Sequence, residues 1–388
     1  MGRVFVLGIS HLYVPRLPSA VMLVGSRGNL ALYPHFQGVK ELLKPPFGPL
    51  FRKVEEHLGQ GNVVFLATGD PLFYGVAQMV VKRFGPSRVE VVPNVSCMQL
   101  AFARMGVSWQ EARHFSLHGR GWRGLLRALT LTPRYLFLFT DPSRTPQAIA
   151  RYLLGVEVEG VKMWVFTSLG TPQEEVEVLT LEEGASRAFK EPNSVVLEKE
   201  LGGVPHPFLP DEEFLSARGL LTKAPVRSVV LSLLEPRPHY IIWDVGSGSG
   251  AVAISLSPLV DAIYAVEKKA EHLEILRRNR VNQGAWNVVV VEGEAPDVLE
   301  GLPSPQGVFV GAGGRRLGEL LDFCWERLEP GGVLVATVVT LSGQRELLNW
   351  GRGELLSLSL SRGDLESGPG FLEPAKPIWV LKCVKPQK

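Results

Sequence analysis

Cysteine is scarce in this chain of 388 residues, which has only Cys97, Cys324 and Cys383. Their wide spacing fits neither a disulfide framework nor a metal pattern. No metal site is expected, and a reducing, cytoplasmic setting is the default. Long apolar runs are also missing. None approaches the ~18 residues of a membrane span, so no membrane association is expected. No secretory leader is read at the start, where Arg3 is followed at once by a short strand-like run. A strong charge of one sign is absent too, with a net charge of +2 and 21% charged residues. Without a basic stripe, nucleic-acid binding driven by phosphate neutralisation is not expected. The arginines near 120–127 and 277–280 are local, and the second group reads as a solvated helix face. No internal repeat is visible. What remains is ordinary globular composition, 45% apolar, on a chain too long for one core. Two domains or more are expected, with short stiff loops supplied by 41 glycines and 29 prolines.

Short apolar strands alternate with helical segments through the first half. Strands are expected at 3–8, 21–24, 62–67, 89–92, 135–139, 162–167 and 194–197, with helices at 72–84 and 96–105. This alternation predicts an α/β fold with a mainly parallel, doubly covered sheet. The stretch from Leu201 to Pro210 holds three prolines and two glycines, which break both helix and central strand. It is read as a linker at 201–210 between a domain at 1–200 and one at 211–388. The second half restarts the alternation: a helix at 222–234, strands at 240–243, 262–266, 287–291, 307–310 and 333–339, and a helix at 315–328. Two last strands, 354–361 and 377–384, could pair as an antiparallel edge.

The most informative stretch is Asp244-Val245-Gly246-Ser247-Gly248-Ser249-Gly250, a glycine turn directly after the strand ending at Trp243. A second strand follows and ends in Glu267. Glycines let backbone approach a ligand, and a carboxylate at the second strand tip can take both ribose hydroxyls. The spacing is G-x-G-x-G, not the G-x-G-x-x-G of dinucleotide sites. With Asp244 before the first glycine, and Pro-Gly-Gly before a late strand, the pattern is typical of class I methyltransferases, which use S-adenosylmethionine. Asp244 would fix the loop or reach the methionine amino group. Glu267 would bind the ribose. Glu294 would sit near the adenine edge or stand as an exposed loop acid. After the fourth strand the chain has Gly311-Ala312-Gly313-Gly314, with no acid or amide to orient an amine. Gly311 and Gly313 leave room for a bulky planar substrate and point to carbon methylation.

Thr222-Lys223, Val226-Arg227, the glycine turn, Gly293-Glu294-Ala295-Pro296 and Phe309-Val310-Gly311 resemble the decarboxylating precorrin C15-methyltransferase family of cobalamin synthesis. The resemblance covers about 208–384 and adds Gly246, Ser247, Gly248, Gly250 and Ala295 to the expected cofactor contacts. In the first half, Thr68-Gly69-Asp70-Pro71 is a sharp turn at a strand end. Pro71 is expected to open the next helix, and Asp70 to cap it or bind the cofactor. Another strand-end turn holds Ser96. Together with Ser116-Leu117-His118-Gly119-Arg120, these stretches resemble the tetrapyrrole methylase family over about 3–199. That implies a second cofactor site with Gly8, Gly69, Asp70 and Ser96. The family opens with Gly-x-Gly-Pro-Gly, whereas here the run is Gly8-Ile9-Ser10-His11-Leu12, and only Gly8 matches.

The two resemblances together imply a precorrin C5,15-methyltransferase, with a tetrapyrrole-methylase-like domain joined to a Rossmann-like class I domain. The first would methylate C5. The second would methylate C15 and promote decarboxylation of the C12 acetate. The expected partner is a corrin-precursor tetrapyrrole, and Arg120, Lys223 and Arg227 are the candidates to hold its carboxylates. No catalytic nucleophile is assigned, and a homo-oligomer is expected. The alternatives are a catalytic C-terminal domain with an N-terminal docking scaffold and, further off, an RNA methyltransferase.

Overall fold

Val63, Val64, Phe65 and Leu66 are apolar at four successive positions, and all four are at most 1% exposed. A strand without polar alternation is covered on both faces, as in parallel sheets. The computed structural model describes residues 2–119, 121–217, 221–311, 316–363 and 372–387. Among them this strand, β4 (Val63–Thr68), lies inside a parallel sheet with β1 (Val4–Ile9), β2 (Met22–Gly25), β3 (Val39–Leu42) and β5 (Val89–Val92), in the order β3-β2-β4-β1-β5. A second five-stranded sheet, β6-β7-β10-β8-β9, is formed by β6 (Arg113–Ser116), β7 (Tyr135–Phe139), β8 (Val161–Thr167), β9 (Glu175–Leu179) and β10 (Asn193–Lys199).

The third sheet has seven strands in the order β13-β12-β11-β14-β15-β19-β16. They are β11 (Ile241–Val245), β12 (Ala262–Glu267), β13 (Val288–Glu292), β14 (Gly307–Val310), β15 (Val333–Val338), β16 (Glu354–Leu358) and β19 (Ile378–Val384). The first five run parallel, β19 is antiparallel to β15, and β16 is antiparallel to β19. The expected antiparallel pairing of the last two strands is therefore present, with β19 inserted between β15 and β16. A short ribbon, β17 (Ser361–Arg362) with β18 (Glu373–Pro374), lies just past the end of β16. Apolar clusters are built around Ile254 and Leu256, and around Val310 and Leu321. The α/β fold class read from the sequence stands.

By contacts the chain forms two units. One is Met1–Ala112, Phe137–Ala150 and Met163–Leu197; the other is Arg113–Leu136, Arg151–Lys162 and Glu198–Lys388. The second unit thus draws two segments from the first half of the sequence. Thr130 and Asn287 are both fully buried and hydrogen-bonded to each other, and the Asn287 amide donates to the carbonyls of Ser257 and Val260. Arg280 is 1% exposed and donates to the carbonyls of Val156 and Glu157 at 2.6 and 3.0 Å. Burial lowers its guanidinium pKa to about 10. The reading of 277–280 as a solvated face fails at this residue, although Arg278 does lie exposed beside Glu274. Gly202, in the proline-rich stretch, adopts φ +73°, and a Cβ there would stand 2.6 Å from Gly284. That segment is packed within the second unit.

One element expectation is corrected. Pro71 does not open a helix, because the helix spans Ala77–Phe84. Residues 71–76 are held as a turn: Asp70 Oδ1 accepts the Leu72 N–H at 2.8 Å, and Tyr74 has φ +57°.

Candidate functional sites

The glycine turn after β11 is built by the backbone first. Gly246, Gly248 and Gly250 all have positive φ, between +57° and +77°, a region costly for residues with a Cβ. The N–H groups of Gly246 and Ser247 both donate to the Val266 carbonyl, tying the turn to the tip of β12. Gly250 caps the helix Ala251–Leu256, and a Cβ there would lie 2.2 Å from Leu276 Cδ1. Gly311 follows β14, the neighbour of β11. A Cβ on it would meet the Gly246 carbonyl oxygen at 3.4 Å and the Phe309 ring at 3.0 Å. The two glycine-bearing strand tips therefore face one another with no side chain between them.

Two acids close this region. Asp244 is fully buried: its Oδ2 accepts from the Ala253 N–H at 3.1 Å, while its Oδ1 has no partner. Burial raises its carboxyl pKa to about 7, and the Glu267 charge adds to the rise, against the hydrogen bond from the Ala253 N–H. A buried acceptor without a donor is costly, so the site is short of one donor or cation. Glu267 is 7% exposed at the end of β12. Its Oε2 accepts from Gly248 N–H at 3.0 Å, and its Oε1 from the N–H groups of Lys268 and Lys269. Glu267 therefore holds the glycine turn through backbone hydrogen bonds. Ser247 uses its hydroxyl on the Asp244 carbonyl. Glu294 is exposed and paired with Lys268 at 2.9 Å, which lowers its pKa. Ala295 packs at the edge of the core.

Sequence reasoning missed Asn279, fully buried on the helix Ala270–Gln283. Its amide nitrogen donates to the carbonyls of Ser249 and Leu215, and its oxygen accepts the Leu215 N–H, each at 2.8 Å. One side chain pins the glycine turn to the segment that precedes the helix Ala224–Leu234. An asparagine inside a helix, 12 residues past Glu267, carries no pattern that would reveal this. Asp211 was missed too: it receives the Ala224 N–H at 2.9 Å and lies against three cations.

The expected substrate residues divide. Arg227 is 1% exposed, and its guanidinium donates to Asp211 and to the carbonyls of Thr222 and Leu209 while resting over Phe214. It is committed internally and is not presented to a substrate. Lys223 is exposed, 3.7 Å from Asp211. Arg120 and Gly313 lie outside the described residues.

In the first unit, the tips of β1, β4 and β5 bring Gly8, Gly69 and Ser96 together. A Cβ on Gly8 would lie 2.5 Å from the Gly69 oxygen, and one on Gly69 would lie 3.5 Å from Ser96 Cα. Gly8 is thus required by close packing. Ser96 is engaged in a capping box with Gln99 at the start of the helix Cys97–Met105. Asp70 supports its own turn and caps no helix. Asn94 organises the departure from the family opening: its amide donates to the Gly8 and Tyr13 carbonyls, and its oxygen accepts from Ser10. Among the described residues no cluster of His, Cys, Asp and Glu could hold a metal ion, and no helix is long and apolar enough to cross a membrane.

Comparison with known proteins covers both halves. Residues 16–185 match the family described as tetrapyrrole (corrin/porphyrin) methylases, and residues 213–385 match the precorrin methyltransferase domain. A precorrin-6Y C(5,15)-methyltransferase [decarboxylating] from Sinorhizobium sp is 31% identical over 343 residues, covering 85% of this chain and 82% of that protein. Its namesake from Mycobacterium tuberculosis (strain CDC 1551 / Oshkosh) is 32% identical over 355 residues, covering 88% and 86%. A protein named as a probable cobalt-precorrin-6B C(15)-methyltransferase (decarboxylating) from Pyrobaculum aerophilum is 32% identical over 185 residues, covering 45% of this chain and 94% of its own. Parallel sheet, glycine turn and strand-tip acid define a class I methyltransferase, joined here to a tetrapyrrole methylase half. Identity is sustained across that junction and along most of the two full-length relatives. The chain belongs to the precorrin-6Y C(5,15)-methyltransferase (decarboxylating) family.

Proposed function

We propose that this protein methylates a precorrin at C5 and C15 and removes the C12 acetate carboxyl as carbon dioxide, in cobalamin synthesis. The observation that carries this reading is identity to the two-part enzymes along both halves, combined with a glycine site that lacks one donor at Asp244. Residues 1–200 are assigned to C5 and 211–388 to C15 and decarboxylation, joined through the packed stretch between them. The match of the second part to a C15-specific relative supports that division.

The residues present fit S-adenosylmethionine. The cofactor supplies an activated sulfonium methyl group. Asp244 Oδ1 is free to accept from the methionine ammonium, which would also favour its ionised form. Glu267, whose Oε2 accepts from Gly248 N–H and has His272 Nδ1 at 3.5 Å, would take the ribose hydroxyls. Gly311 lies so close to the Gly246 carbonyl and the Phe309 ring that any side chain there would crowd the strand tips where a planar acceptor would approach. An electron-rich macrocycle carbon needs no nucleophilic side chain, so the task of these residues is to align acceptor, methyl and sulfur. Alignment of that kind supplies several kcal/mol of a barrier, on the order of 7–11 in the best cases. In the first unit the corresponding cofactor contacts fall to Gly8, Gly69, Asp70 and Ser96. There, two of the polar side chains already serve the fold, which makes backbone groups the main candidates.

Mass spectrometry of the product formed from the hydrogenated precorrin tests the reading. Two added methyls and one lost carboxyl are expected. Methylation at C15 alone would reduce the first half to a docking scaffold, and no methylation of any precorrin would overturn the proposal.

A further inference from the structure

Asp211 sits in a short turn after the proline-rich stretch, with its side chain 10% exposed. Three cations surround it: Arg227 at 3.3 Å, Lys223 at 3.7 Å and Arg362 at 3.8 Å. These three are not equivalent. Arg227 is buried, and its charge offsets that of Asp211 within the protein. Lys223 and Arg362 have side chains 58% and 68% exposed, at distances too long for strong hydrogen bonds to Asp211. Their donors, three on an ammonium and five on a guanidinium, remain turned to solvent for the most part. The other acids close in sequence or register are Glu212 and Glu213 beside Asp211, and Glu373 opposite Arg362 in the β17–β18 ribbon.

The position of this pair matters. Lys223 is the N-cap of the helix Ala224–Leu234, which ends seven residues before β11 begins and so starts at the carboxyl end of the sheet. Asp211 is four residues from Leu215, which Asn279 bonds directly to the glycine turn. β16 runs parallel to β15, so Arg362, four residues past its end, emerges at the same edge. Three independent elements thus deliver two exposed cations to the edge that carries Gly246 and Gly311.

We propose that Lys223 and Arg362, held by Asp211 on a buried Arg227 base, form a docking site for a carboxylate side chain of the acceptor. The inference rests on the reading of the second half as a methyltransferase acting on a polycarboxylate tetrapyrrole. A planar acceptor presents carboxylates around its rim, and a guanidinium with a neighbouring ammonium recognises one of them by charge-assisted hydrogen bonds. The site sets which edge of the ring enters. It has no part in bond making.

Steady-state C15 methylation by the full-length protein tests this, with S-adenosylhomocysteine affinity measured in parallel by calorimetry. Arg362→Ala and Lys223→Ala should each raise KM for the precorrin about 10-fold. In both, kcat and S-adenosylhomocysteine affinity should stay within about 2-fold of the starting protein. Arg362→Lys should recover part of the loss, and added salt should raise KM more in the unaltered protein than in the variants. Unchanged KM in both alanine variants would overturn the docking site. So would a parallel fall in S-adenosylhomocysteine affinity, which marks a purely structural tie. If the unaltered protein binds S-adenosylhomocysteine but makes no C15 product, the methyltransferase reading itself fails.

Discussion

Replacing Asn279 by alanine removes three hydrogen bonds at once, two donated to the carbonyls of Ser249 and Leu215 and one accepted from the Leu215 N–H. The side chain is fully buried, so bulk water does not replace them. At about 1 kcal/mol net for each bond, the loss is on the order of 3 kcal/mol. One of the three bonds, about 1 kcal/mol, falls on the glycine turn itself, because Ser249 lies between Gly248 and Gly250, and the other two hold Leu215. A turn that must be reordered on binding reduces affinity by the free energy of its own lost bond, roughly 5-fold. Calorimetric titration with S-adenosylhomocysteine reads this directly. Asn279→Asp offers an internal comparison: it keeps an acceptor for the Leu215 N–H, loses both donors and buries a charge, so it should be at least as weak a binder. Titration of the unaltered protein at the same salt fixes the reference. An Asn279→Ala affinity within about 3-fold of that reference would refute the claim that this residue positions the turn.

The Asp244 carboxyl has a folded pKa raised to about 7 from an ordinary 3.8. Its stabilising contribution is therefore complete below about 4 and is lost as pH rises through about 7. Asp244→Asn should remove this slope, so unfolding midpoints of the two proteins should diverge between about pH 4 and about pH 7 and run parallel above that; parallel profiles throughout would contradict the assignment. Gly250→Ala meets both a left-handed φ and Leu276 at 2.2 Å. A cost of about 2–5 kcal/mol is expected, read as a lowered unfolding transition. Arg280→Met should destabilise by about 2–3 kcal/mol by leaving the Val156 and Glu157 carbonyls unpaired, and a neutral outcome in thermal unfolding would mean that water reaches them. Glu267→Gln turns an NH2 group toward one set of backbone donors, so S-adenosylhomocysteine affinity should fall at least about 10-fold, while the far-ultraviolet circular dichroism stays unchanged.

The strands that hold the second site were legible because they are buried on both faces and end in punctuation. β11 runs into Gly246, β12 into Glu267 and β14 into Gly311, and each tip lies where the turn residues announced it. Side-chain roles were less legible. Arg227 and Lys223 stand four residues apart with similar chemistry, yet one is buried under Phe214 and the other faces solvent. The sequence records their type and not the neighbour that covers them. Asn279, Asp211 and Asn94 act through backbone carbonyls and N–H groups, which leave no trace in residue spacing. The helix Phe47–Leu58 escaped although Leu50, Phe51, Val54 and Leu58 recur at helical spacing; it follows Pro45-Pro46 and carries no motif at either end. β3, with Lys40 and Glu41 inside it at a sheet edge, shows neither alternation nor an apolar run.

Thr130, Val156 and Glu157 precede the proline-rich stretch, yet they complete hydrogen bonds of Asn287 and Arg280, which follow it. Cutting the chain at 201–210 would therefore pass through a folded interior. A fragment beginning at 211 would carry a bare guanidinium and an unsatisfied amide on a newly exposed face, and the complementary fragment would carry carbonyls without donors. Failure of either fragment to bind a ligand would report the wound and say nothing about which half is catalytic. Point substitutions in the intact chain are the sound way to separate the two activities. A stand-alone C15 enzyme of the Pyrobaculum kind has to satisfy the positions equivalent to Arg280 and Asn287 by some other means, and those two positions are where such proteins should differ from this one.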